Sequence, residues 1–203
     1  MQTRKLIRLL PALVFTCTPD IVASTITLGF DPTVQTVNVG SSAALQLTAA
    51  DLVDFAPPAL GAFDLSVVFS PSIVSVQSVT FGPDLGGSGE AVFSSSVTPG
   101  DLRLIGISLL SPADLDALQP DSFVVATINM QVNALGTSTF MLSPNSLSDE
   151  FGFAITLTKT ETGEVTGVPE PRTLGLAIVA GVLCLVACRA RRMRCSPGRR
   201  RNF

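Results

Sequence analysis

From Phe63 to Phe69 the chain reads Phe-Asp-Leu-Ser-Val-Val-Phe, with Phe63, Leu65, Val67 and Phe69 at alternate positions and Asp64 and Ser66 between them. A period of two puts the apolar set on one side of an extended strand and the polar set on the other. The segment must therefore lie with one face against a core. Eight further runs have a similar character, at residues 34–39, 43–49, 73–81, 91–97, 102–110, 123–132, 137–142 and 153–159. Turn-forming clusters separate them: Asp31-Pro32, Pro57-Pro58, Ser70-Pro71-Ser72, Pro99-Gly100-Asp101 and Ser143-Pro144-Asn145. Nine or ten short strands at this spacing predict an all-β chain, a two-sheet antiparallel β-sandwich rather than a βαβ fold.

One segment departs from the pattern. In Ser111-Pro112-Ala113-Asp114-Leu115-Asp116-Ala117-Leu118 a serine precedes a proline at a first helical position, so Ser111 is placed to cap a short helix. Leu115 and Leu118 are expected to pack on the sandwich, Asp114 and Asp116 to face water, and Pro120 to stop the helix.

The net charge of −3 conceals an asymmetry. Residues 25–168 hold fourteen carboxylates against two cations, Arg103 and Lys159, which leaves that stretch at about −12 while both ends of the chain are basic. Such a body repels phosphates, so nucleic acid is not an expected partner.

The body also lacks Cys, and the whole chain lacks His, Trp and Tyr. Ser-His-Asp and Cys-His catalysis and His-ligated zinc are thereby excluded. Carboxylate pairs remain, at Asp114/Asp116 and Asp149/Glu150, but without Trp or Tyr platforms for sugar rings. They read as solvated surface acids, so no enzyme and no cofactor are expected. Asp84 and Glu90 lie in the glycine-rich stretch 82–90, a candidate binding loop. Its spacing matches no calcium-loop motif, and no metal is assigned to it.

The two ends read as targeting segments. Arg4, Lys5 and Arg8, an apolar run over 6–15 and the small residues Val22-Ala23-Ser24 make residues 1–24 a secretory signal peptide. At the other end Val168-Pro169-Glu170-Pro171 precedes an uncharged apolar run at 174–188 and then Arg189, Arg191, Arg192 and Arg194. The prolines make a stiff, exposed hinge. The run would be ~22 Å long as a helix, short for a bilayer unless Arg172 and Arg189 snorkel outward. The arginines would stay on the cytoplasmic side.

That order of segments resembles the PEP-CTERM sorting signal of exported bacterial proteins. The resemblance implies processing by an exosortase near the Pro-Glu-Pro, a transient stay in the inner membrane of a Gram-negative host, and delivery to the cell surface or extracellular matrix. Residues 168–203 form this signal, one feature being atypical: the chain continues from Cys195 to Phe203 beyond the arginines.

Between the two segments, residues 25–167 are similar to cohesin-like domains. The resemblance rests on Gly61-Ala62-Phe63-Asp64-Leu65-Ser66-Val67-Val68-Phe69-Ser70-Pro71-Ser72-Ile73-Val74, the run up to Phe81, and Phe123-Val124-Val125-Ala126-Thr127-Ile128 after the short helix. It implies a jelly-roll type sandwich. The expected function is a non-catalytic surface or matrix protein that binds a surface protein or an extracellular polysaccharide. The alternatives are a purely structural matrix component and a carboxylate-dependent glycan hydrolase.

Overall fold

The computed structural model describes residues 25–170. The expected signal peptide, Pro171, the expected transmembrane helix and the Arg189, Arg191, Arg192 and Arg194 cluster lie outside the described residues. Within these bounds no helix is long and apolar enough to cross a membrane.

The described chain runs β1 (Thr25–Asp31), β2 (Val34–Asn38), β3 (Ser42–Ala50), β4 (Leu60–Val68), β5 (Val74–Phe81), β6 (Ala91–Thr98), β7 (Asp101–Ser108), α1 (Pro112–Leu118), β8 (Phe123–Val132), β9 (Gly136–Asp149), β10 (Thr156–Thr160) and β11 (Gly163–Val168). They form a five-stranded sheet in the order β10-β1-β3-β8-β5 and a six-stranded sheet in the order β2-β11-β9-β4-β7-β6. The predicted sandwich is thus present, with one refinement. The pairs β1–β10 and β2–β11 are parallel, so both sheets are mixed. Alternation in a sequence fixes which face a residue takes, not the direction of the neighbouring strand.

Two strands were not legible. β1 directly follows the expected signal segment. β11 has glycine at two of its three buried positions, Gly163 and Gly167, which gives a weak hydropathy signal. Packing demands them: a Cβ on Gly167 would lie 2.2 Å from the Ala134 carbonyl oxygen, and one on Gly163 3.0 Å from Leu45 and Phe30. The expected turn at Ser143-Pro144-Asn145 is instead the middle of β9. The β4–β9 register slips there, with Asp64 opposite Ser146 but Leu65 opposite Pro144. Asn145 is the extra residue of a bulge. Pro144 lies beyond the stretch of β9 that pairs with β11, so its missing N–H breaks no ladder on that side.

The helix forms where expected. The Ser111 hydroxyl accepts from the Asp114 N–H at 3.3 Å and donates to the Asp114 carboxylate at 2.6 Å. Leu115 is buried, but Leu118 is exposed rather than packed. Asp116 does not simply face water, because its Oδ1 is buried and unpartnered. The residue after the helix, Gln119, is also buried. Its side chain acts as a short strand partner, accepting from the Leu60 N–H at 2.6 Å and donating to the Leu60 carbonyl at 2.8 Å.

The core lies between the sheets, with Ile26, Leu28, Leu45, Leu47, Ile128 and Met130 facing Phe63, Leu65, Leu102, Leu104, Phe140 and Val165. Burial of this apolar area is the main source of stability. Without Trp or Tyr, phenylalanine supplies the aromatic packing. Phe140 stacks on Phe69 and meets Phe30 edge-on, while Phe81 stacks on Phe93 with centroids 4.6 Å apart.

The registers define two ends. Leu60 pairs with Asp149 and Thr25 with Thr156 at one end, which also carries α1 and the loop 82–90. At the other end lie Val68, Asp101, Gly136 and Val168.

Candidate functional site

The clearest surface feature is the outer face of β6-β7-β4-β9. Alternation aims Asp64, Ser66 and Val68 of β4 outward, because Phe63, Leu65 and Val67 are taken by the core. On β7, Ile105 stands opposite Asp64, Arg103 opposite Ser66 and Ile107 opposite Ala62, and on β9 Ser143 and Met141 stand opposite Ser66 and Val68. The bulge turns Asn145 onto the same face.

An ion pair sits at the centre. Arg103 donates from Nε to Asp64 Oδ1 at 3.0 Å and from Nη2 to Asp64 Oδ2 at 2.6 Å. Asn145 Nδ2 donates to Asp64 Oδ1 at 3.1 Å and to Ser66 Oγ at 3.4 Å. A two-pronged guanidinium contact is directional, so the group is set before any partner arrives. These bonds, first from Arg103 and then from Asn145, hold the Asp64 carboxyl down at about 2. Around this charged centre lie exposed apolar side chains: Val92 at 54 %, Met141 at 51 %, Ile107 at 46 % and Val68 at 42 %. The outer face of the five-stranded sheet differs. It carries Gln46, Thr48, Thr127, Asn129, Ser78 and Thr80 and, among the described residues, none of the large exposed apolar groups.

The arginine at this centre was visible in the sequence as one of only two cations in the body, and Asp64 as a residue of the polar side. Their pairing was not, since it depends on the β4–β7 register, 39 residues apart. Asn145 was hidden because its bulge looked like a turn.

The candidate loop 82–90 joins β5 to β6. Leu85 anchors it in the core, and Glu90 Oε2 accepts from the Gly87 N–H at 2.9 Å. Asp84 is pushed upward by burial. The loop glycines roof an open cavity of about 590 Å³ above Val79, Phe81 and Phe93, but Asp84 and Glu90 are not in its lining. No group of three or more potential metal ligands occurs among the described residues.

Val168, Pro169 and Glu170 are described. Val168 closes β11, its carbonyl accepting from the Val39 N–H at 2.9 Å. Exposed Pro169 and Glu170 follow at once, with no linker between sandwich and motif.

The carboxylate pairs serve local structure. Asp114 takes the Ser111 hydroxyl, Asp149 Oδ1 accepts from the N–H groups of Phe151 and Phe153, and Glu150 Oε2 accepts from Ala59. Asp116 is raised by burial and then by the charge of Glu150, which brings together one member of each expected pair. The adjoining cavity is about 220 Å³ and is lined by Asp149 and Glu150 with Leu115 and Gly152.

No family model matches the chain, and no curated protein does. Solved structures do. A type I cohesin–dockerin complex from Clostridium thermocellum aligns with TM-score 0.59 and 15% identity, over 71% of this chain and 100% of the other. The seventh ScaB type I cohesin of Pseudobacteroides cellulosolvens gives 0.58 and 14%, over 73% and 95%. A non-cellulosomal cohesin of the archaeon Archaeoglobus fulgidus gives 0.53 and 15%, over 75% and 96%. At these identities the likeness shows the fold, and that fold is the cohesin jelly-roll sandwich.

Proposed function

We propose that this chain is an exported, non-catalytic protein-binding module that receives its partner on the outer face of β6-β7-β4-β9. The carrying observation is the contrast between the two sheet faces. One sets Val68, Val92, Ile107 and Met141 around the fixed Asp64–Arg103 pair. The other is mostly polar and uncharged at its centre, its apolar residues there being small or half-buried, such as Ala44 and Val124. Apolar groups beside an ordered charge suit a protein contact, in which near-neutral neighbours exclude water from a few strongly held groups. Solved relatives of this fold include cohesins in complex with dockerins, which supports a protein as the partner class. The absence of His and of any body Cys supports a non-catalytic role. Photo-crosslinkers at Met141 and at Gln46, on opposite faces, test the surface in the envelope. Adducts from Met141 alone are expected. Equal yields, or adducts from Gln46 alone, would sink the assignment.

The C-terminal reading belongs to the same proposal. Val168-Pro169-Glu170-Pro171, the apolar run and the arginines act as an exosortase sorting signal that holds the body at the inner membrane and then releases it to the surface or matrix. The flush junction at Val168 leaves Pro169 and Glu170 exposed beside a closed fold, which supports an enzyme acting at or beyond them. Intact mass spectrometry of protein from envelope and medium tests this. Loss of the chain beyond about Pro171 is expected, and retention through Phe203 in every fraction would reject sorting.

A further inference from the structure

Among the described residues the two sheets expose four edge strands, and three of them are guarded. β10 carries Lys159, and its register with β1 slips. β2 is only five residues long and follows Asp31-Pro32. β5 is bulged between Val76 and Ser78. Charge, shortness, proline and bulging are the usual devices that stop an edge from accepting another strand. β6 has none of them. Its eight residues, Ala-Val-Phe-Ser-Ser-Ser-Val-Thr, contain no charge and no proline, and they pair with β7 in unbroken register from Ala91–Ser108 to Thr98–Asp101. Apart from an isolated bridge between Ser88 and Ala91, no strand among the described residues pairs with its other side. Alternate residues there direct their N–H and C=O groups away from the sheet.

We propose that the β6 edge is a homodimer interface in which two copies pair antiparallel about a twofold axis at Ser95, joining two six-stranded sheets into one continuous sheet. Residues directly opposite in an antiparallel pair lie on the same face, and a twofold axis makes every contact reciprocal. Both conditions hold when the axis passes through a residue. At Ser95 the register sets Ser95 against its own copy, Ser94 against Ser96 of the second copy, Phe93 against Val97, and Val92 against Thr98. Hydroxyls thus meet hydroxyls on the outer face, and Phe93 gains an apolar neighbour on the inner one.

The choice of a second copy, not a foreign strand, follows from charge. A body near −12 would bind a basic segment most readily, yet β6 offers no carboxylate to hold one. A neutral Ser/Val/Thr strand is the complement, and β6 itself is such a strand. The two acidic bodies repel each other, and that repulsion is screened as ionic strength rises. Dimerisation therefore strengthens with added salt, the opposite of a contact held by opposite charges. The inference does not depend on what occupies the sheet's outer face.

Full-length Ser95→Cys in detergent, compared with Thr80→Cys on the β5 edge and with the unmodified chain as control for the existing cysteines, tests the register. Directly opposite residues lie at Cα separations that a disulfide spans. Mild oxidation is expected to give a covalent dimer from Ser95→Cys above the level of both controls. Sedimentation of the unmodified chain provides the independent readout. A dimer that grows with salt and is lost in Ser94→Lys, with the far-ultraviolet spectrum retained, is expected. A strictly monomeric chain at high salt, or crosslinking no better at Ser95 than at Thr80, would overturn the proposal.

Discussion

Arg103 grips Asp64 with two prongs across the β4–β7 ladder, and Asn145 steadies the same carboxylate from a bulge on the far side. Because the Asp64 carboxyl is held at about 2, below its ordinary value of 3.8, it binds protons later in the folded than in the unfolded chain. Its stabilising contribution is complete above pH ~4 and is lost as the pH falls toward ~2. Asp64→Asn is expected to flatten the acid limb in that window by removing the contribution above it, so stability near pH 7 falls by the same modest amount, as exposed pairs contribute little. Urea midpoints at a series of pH values measure this.

Removing the Gln119 side chain should be costly for its size. It satisfies both backbone groups of buried Leu60, so Gln119→Ala orphans a donor and an acceptor. A loss of about 2–4 kcal/mol is expected in denaturant unfolding. Gln119→Glu, which keeps the acceptor but in its ionised form faces the Leu60 carbonyl with no donor, should rescue little of it.

At Gly106 the limiting factor is space. A Cβ there would sit 2.4 Å from Phe63 Cε1 and 3.1 Å from Phe93. Gly106→Ala should destabilise by about 1–3 kcal/mol through overpacking. In Phe63→Leu the same change should cost less, so the double mutant is more stable than the two losses added together predict. Thermal or urea unfolding of the four proteins completes the cycle.

In the loop 82–90, Glu90 is already engaged by the Gly87 N–H. Calcium should not move the thermal midpoint, whereas Glu90→Ala should speed protease nicking within the loop. A midpoint that rises with calcium would show a site that the described geometry lacks.

The sequence made the faces plain and the partners obscure. The alternation from Phe63 to Phe69 placed Asp64 and Ser66 on the outer side of a strand, and they are there. Ser111 and Pro112 announced α1 because a cap and a first-turn proline are local signals. What stayed hidden was non-local. Arg103 meets Asp64 only through register, and Gln119 meets Leu60 across 59 residues. β11 was missed because tight packing requires glycine where a strand would ordinarily show Val or Ile.

The junction at Val168 has a mechanical meaning. β11 is clamped on both sides, by β9 running against it and β2 running with it. Tension applied along the chain at Val168 would load both ladders lengthwise, so their bonds would resist sliding as a group and would not break in succession. Gly167, fitted tightly under the Ala134 carbonyl, adds a notch to that grip. The strand through which the body would hang from its tail is thus arranged as a shear joint.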